Sequence, residues 1–157
     1  MDKKKAVVFI DTNIFVIDLR YKNDTKFTIN RAFLDYVASG HCKCITSIYN
    51  LLEVCGILSF NLNEQQMREL YYFFPVKYKI DVMPSHGIDS FLPAVSVREI
   101  MDLMYGKTSL GDALIAGFVK KNVSADMVFV SWDADHFRHL LPIRAHTPEE
   151  FLKHLPP

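Results

Sequence analysis

Ala6-Val7-Val8-Phe9-Ile10 is a continuous apolar run, and Asp11 ends it abruptly. Three of its five residues are β-branched, as in a strand covered on both faces. Such strands belong to parallel sheets roofed by helices, where ligands gather beyond the carboxyl ends of the strands. A carboxylate placed directly after such a strand is therefore a first candidate for function.

The rest of the chain alternates in the same way. Phe27 to Ala38 reads as a helix stopped near Gly40, and Cys42 to Thr46 as a second strand. Ser47 to Phe60 is a strongly apolar helix, and Asn63 with Gln66 forms a capping pair that opens another. That helix is expected to stop at Pro75, with Val76 to Met83 as a strand and Ile88 to Tyr105 as a helix interrupted by Pro93. Ser109 to Lys121 reads as a helix, Met127 to Ser131 as a strand, Asp133 to Leu140 as a short helix and Ile143 to His146 as a last strand. Thr147-Pro148-Glu149-Glu150 opens a final helix. The expected fold is an α/β three-layer α/β/α sandwich with a mostly parallel central sheet. With 157 residues, half of them apolar, the whole chain is expected to form one domain, residues 1–157.

Eighteen basic residues balance eighteen acidic ones, which excludes a global basic field of the kind that marks many nucleic-acid binders. Lys3, Lys4 and Lys5 are basic as a leader would be, but Asp11 cuts the following run far short of a signal-peptide core or a membrane span. Three clustered cysteines do not make a disulfide scaffold. A cytoplasmic protein with no membrane contact is the expectation.

Five acids stand where the fold directs attention. Asp11 follows the first strand, Asp133 and Asp135 follow the strand ending at Ser131, and Glu53 and Asp112 lie on the two most apolar helices. Each has a structural alternative. Asp11 and Asp133 suit helix N-caps, and Asp112 suits a capping box with Ser109. Asp135 suits the first turn of a helix, and Glu53 could share a solvated stripe with Asn50 and Asn61. Gathered at one edge, however, the acids would raise one another's pKa values. Mg²⁺ or Mn²⁺ takes oxygen ligands and relieves that repulsion.

These residues also carry a resemblance. Val8-Phe9-Ile10-Asp11-Thr12-Asn13 resembles the opening of PIN domains, and Glu53 in Ser47-Ile48-Tyr49-Asn50-Leu51-Leu52-Glu53 the family's helical glutamate. Leu110-Gly111-Asp112-Ala113-Leu114 is similar to its central aspartate helix. Val130-Ser131-Trp132-Asp133-Ala134-Asp135 resembles its last acidic motif, and Thr147-Pro148-Glu149-Glu150-Phe151 its close. The motifs are in order and span nearly the whole chain. The resemblance implies a divalent-metal-dependent ribonuclease. In it Asp11, Glu53, Asp112 and Asp133 form the catalytic metal-binding quartet, with Asp135 as a further metal ligand and Asn13 positioning Asp11. Short single-domain members are commonly VapC-type toxins, which implies an RNA substrate, an antitoxin partner and a homodimer. Lys22, Lys26, Arg31, Lys107, Arg138 and Arg144 are candidates to meet RNA phosphates, and His136 and His139 flank the acidic end.

Two other classes are weighed beside it. One is a PIN-like binding or assembly module without catalysis, against which the complete quartet argues. The other is a Rossmann-like phosphatase, which lacks support because position 13 is Asn, so no Asp-x-Asp signature is present. His41-Cys42-Lys43-Cys44 has two thiols on one strand face but lacks two further ligands at zinc-site spacing. Trp132 reads as packing, and Tyr71-Tyr72-Phe73-Phe74 as core or a protein-contact surface.

Overall fold

A computed structural model describes residues 5–84, 87–122 and 124–155; Lys3 and Lys4 of the basic start fall outside them. The chain runs β1 (Val7–Ile10), α1 (Thr12–Arg20), α2 (Phe27–Ala38), β2 (Lys43–Ser47), α3 (Ile48–Leu58), α4 (Glu64–Tyr78) and β3 (Asp81–Met83). It continues through α5 (Val97–Tyr105), α6 (Leu110–Asn122), β4 (Met127–Val130), α7 (Ala134–Arg138), β5 (Arg144–His146) and α8 (Pro148–Lys153). Among the described residues the strands form one sheet in the order β3-β2-β1-β4-β5, and every pairing is parallel.

Two separate cores follow from the period-two alternation of the strands. Val8, Ile10, Cys44, Val128 and Val130 face one way, onto Ile14, Phe15, Phe33, Leu34, Leu51, Val54 and Phe74 of the helices α1 to α4. Phe9, Ile45, Met127, Phe129 and Ala145 face the other way, onto Ala113, Ile115, Ala116, Val119 and Phe137 of α6 and α7. Phe9 and Phe129 are register partners on adjacent strands, and their rings stack at 5.3 Å. These layers are the expected α/β/α sandwich.

Capping chemistry sets most helix starts. Ser47 with Asn50, Asn63 with Gln66, Ser96 with Glu99 and Thr147 with Glu150 each form a reciprocal capping box. Gly40 takes a positive φ of 80° in the reversal between α2 and β2, a conformation glycine adopts without steric cost.

Three expectations need correction. The helix α4 does not stop at Pro75 but runs on to Tyr78. Phe74 and Tyr78 are buried on either side of the proline and pack their rings on Phe15 at 4.7 and 4.9 Å. The Tyr78 hydroxyl also donates to the buried Asp18 carboxylate (2.8 Å), which Arg31 engages from α2 (2.8 Å). That anchoring outweighs the roughly 3 kcal/mol that an interior proline costs. The strand expected over Val76 to Met83 is consequently confined to Asp81–Met83. The helix expected from Ile88 begins only at Val97, where Ser96 supplies the cap. Thr12–Arg20, to which the sequence assigns no element, is the helix α1.

Phe74 is fully buried against Phe15. Phe74→Ala is expected to lower the unfolding free energy by about 3–5 kcal/mol, read from urea denaturation.

Candidate active site: an acidic edge at the sheet's switch point

The strand order places β1 beside β4 at the point where the connections change direction, the position at which parallel α/β sheets open a crevice. Ile10 pairs with Val130, so the next residues along, Asp11 and Ser131, leave the sheet side by side. The Asp11 amide still bonds to the Val130 carbonyl (3.0 Å) and the Ser131 amide to that of His146 (3.0 Å).

Asp11 is almost completely buried, with 4% of its surface exposed. Its Oδ1 accepts from the Thr12 amide (2.8 Å), so the residue does cap α1, and also from Asn50 Nδ2 (3.2 Å). Its Oδ2 accepts from the Ser131 hydroxyl (2.7 Å). Burial pushes its pKa from 3.8 up to about 7, opposed by the bonds from Ser131 and Thr12 and assisted by the charges of Glu53 and Asp112. A carboxylate offers about four lone-pair sites, so three bonds leave one position for a further partner.

Glu53 lies on the second turn of α3 and is half-buried. Burial, followed by the charge of Asp112, raises its pKa, and its expected stripe neighbour Asn50 is fully buried. A Cβ at Gly111 would stand 3.0 Å from Glu53 Oε2, so α3 and α6 approach this closely because position 111 carries no side chain. Asp112 follows on α6, where its amide donates to the Ser109 hydroxyl (3.1 Å) and its carboxylate lies 3.7 Å from His136 Nε2.

Asp133 occupies the N-cap position of α7 but makes no side-chain cap bond. Its Oδ2 accepts from Asn13 Nδ2 (3.3 Å), and its amide donates to the Ser131 hydroxyl (2.9 Å). Asn13 therefore steadies Asp133 and Ser131 (3.1 Å) rather than contacting Asp11 itself. Asp135 is placed differently: its side chain is 92% exposed and is paired with Arg138.

Asn50 and Ser131, which bond to Asp11, are the residues of this edge that sequence reasoning passed over. Each had a signal. Asn50 stands three residues after Ser47 as the far half of a capping box, and Ser131 follows β4 as Asp11 follows β1. Of the candidate phosphate contacts, Arg31 is engaged by Asp18 and Asp35, and Arg138 by Asp135 and Glu150. Lys26 lies over the Trp132 ring at 5.4 Å, and that indole donates to Asn30 (2.8 Å), so Trp132 is a packing residue.

The donors at this edge are all carboxylate oxygens, and their mutual repulsion is the kind a hard divalent cation relieves. As the side chains stand, no group of three or more His, Cys, Asp or Glu residues among the described residues is placed to hold a metal ion. The donor chemistry and the free Asp11 position fit such a cation, with the Glu53 and Asp112 carboxylates close enough for their charges to act on Asp11.

The raised Asp11 pKa fixes the sign of a pH effect. The folded chain holds this proton more tightly than the unfolded one, so the contribution of Asp11 to stability is complete below its ordinary 3.8 and is lost as pH climbs to about 7. With a chelator present, Asp11→Asn is expected to gain stability relative to the parent across that window, with no further change above about pH 8. Urea denaturation at stepped pH measures it, and a flat difference would contradict the burial of an ionisable Asp11.

No family model and no curated protein matches the chain. Solved structures do. The VapBC2 structure from Rickettsia felis, bound to a DNA fragment from its promoter, matches with a TM-score of 0.56 at 15% identity, over 90% of this chain and 98% of that one. FitAcB from Neisseria gonorrhoeae matches at 0.57 and 17% identity, over 94% and 99%. VapBC-1 from nontypeable Haemophilus influenzae matches at 0.56 and 14% identity, over 91% and 98%. At these identities the likeness is one of fold: the chain shares the α/β/α architecture of these structures.

Proposed function

We propose that this chain is a divalent-metal-dependent endoribonuclease, acting as the toxin of a toxin–antitoxin pair. The observation that carries the reading is the gathering of Asp11, Glu53 and Asp112 at the sheet's switch point, close enough for their charges to raise the pKa values of Asp11 and Glu53. The fold shared with VapBC and FitAB structures supports the toxin assignment.

In this reading Asp11, Glu53 and Asp112 hold Mg²⁺ or Mn²⁺, with Asp133 as the fourth acid. Asp135, exposed and paired with Arg138, contributes least. The ion would supply an activated water and charge stabilisation for in-line hydrolysis that leaves a 5′-phosphate. The chain's own residues prepare that chemistry. Ser131 and Asn50 fix both oxygens of Asp11, and Asn13 holds Asp133 in the direction of the edge. The high pKa of Asp11 lets it exchange a proton for a cation near neutral pH. Without a cation the edge repels a phosphodiester, so RNA engages only the loaded protein. Tyr72, Phe73 and Val76 on α4 are large exposed apolar residues, available for an antitoxin or a second copy.

The test is incubation of purified protein with a mixed total-RNA pool and Mn²⁺, alongside EDTA and Asp112→Asn. Cleavage is expected to require metal and to fall more than about 100-fold in Asp112→Asn, because even groups that only orient metal ligands cost about 10–100-fold. Asn13→Ala, a positioning change, is expected to lose about 10–100-fold, with part of the loss restored by excess Mn²⁺. The toxin assignment predicts growth arrest on induction that Asp112→Asn abolishes. A well-folded protein that cuts nothing in the pool would favour the binding-module alternative.

A further inference from the structure

Cys42 and Cys44 stand where β2 begins, at the edge of the sheet opposite Asp11. Cys42 immediately precedes the strand and Cys44 is its second residue. Their sulfurs lie 3.2 Å apart and share a hydrogen bond. Both residues are buried, 8% and 5% exposed, and His41 beside them is exposed. Neither takes part in the acidic edge. A disulfide needs about 2.05 Å between sulfurs, so bond formation asks the two sulfurs to approach by about a further 1 Å.

We propose that Cys42 and Cys44 are a peroxide-oxidisable dithiol that closes to an intrachain disulfide. The Cys42 thiol is the group poised to start. The hydrogen bond from Cys44 lowers its pKa, and the Lys5 ammonium adds to the effect. Lys5 is held in place by donating to the Gly40 carbonyl (2.9 Å). Cys44, by the same pairing, is pushed up and remains the protonated, resolving thiol. Cys55, the third cysteine, is pushed up to about 11 by burial and serves as an internal control.

The chemistry balances with hydrogen peroxide as the oxidant. The Cys42 thiolate attacks one peroxide oxygen, the O–O bond breaks, and hydroxide leaves a sulfenic acid on Cys42. The Cys44 sulfur then attacks the Cys42 sulfur, forming the S–S bond and expelling the hydroxyl oxygen, which departs as water with the Cys44 proton. The hydroxide takes up the proton that Cys42 gave to solvent. Two thiols are oxidised by two electrons and one peroxide is reduced to two waters. A small oxidant suits thiols this deeply set.

The experiment treats the folded protein with hydrogen peroxide, removes the excess with catalase, unfolds the chain and alkylates the free thiols for counting by mass. Labelled cysteines are expected to fall from three to one, and dithiothreitol is expected to restore all three. Lys43 lies between the pair, so trypsin is expected to leave two peptides joined until they are reduced. In Cys55→Ser the count is expected to fall from two to none. In Cys44→Ser the disulfide is absent and dimedone traps a sulfenic acid on Cys42. Retention of all three thiols by the folded protein would overturn the proposal, as would a bond to Cys55 or between two chains.

Discussion

The structure turns on one buried carboxylate. Asp11 ends the central strand, caps α1 and receives Asn50 from α3 and Ser131 from the end of β4, so four segments meet on two oxygen atoms. Ser131 and Asn50 are both fully buried, and each makes a second bond of its own: Ser131 receives the Asp133 amide, and Asn50 donates to the Thr12 hydroxyl. These bonds offset only part of the cost of taking Asp11 out of water. The remainder is carried by the packing of two apolar cores around the strand.

A second buried carboxylate in the same chain shows what a purely structural solution looks like. Asp18, one helix further on, is met by the Arg31 guanidinium and the Tyr78 hydroxyl, and it ties α1, α2 and α4 together. Asp11 meets no such cation among the described residues and instead faces two more acids, whose charges push its pKa further up. Carboxylates perturbed by burial and by like charges cluster at functional sites, which is why Asp11 carries the proposed function and Asp18 does not. The contrast between Asp18 and Asp11 separates the group that holds the fold from the group that the fold holds.

Much of this was legible beforehand because local rules and tertiary demand agreed. Apolar runs ending at Ile10 and Val130 announced central strands, and Asn63-Glu64-Gln65-Gln66 and Thr147-Pro148-Glu149-Glu150 announced helix starts. The failures came where they disagreed. Pro75 is a local stop, but Phe74 and Tyr78 are drawn into the core around Phe15, contacts distant in sequence that no window of neighbours reveals. At the edge, residue types identified Asp11, Glu53 and Asp112, whereas the exposure of Asp135 and the burial of Asn50 depend on which way a helix face turns in three dimensions. Asn13 is in the expected neighbourhood but holds Asp133 instead of Asp11, a distinction of about one side-chain length.

The central pairing of β1 with β4 has a consequence in time as well as in space. Ser131 and Asp11 are bonded across 120 residues of chain, and Asn50 reaches Asp11 across 39. Closing contacts of that separation costs chain entropy before any packing compensates. During synthesis Asp11 is made long before Ser131, Asp133 and Asp112 exist, and the middle of the sheet waits for β4 to fill the place beside β1. The acidic edge can thus be complete only once the chain has been made as far as Asp133.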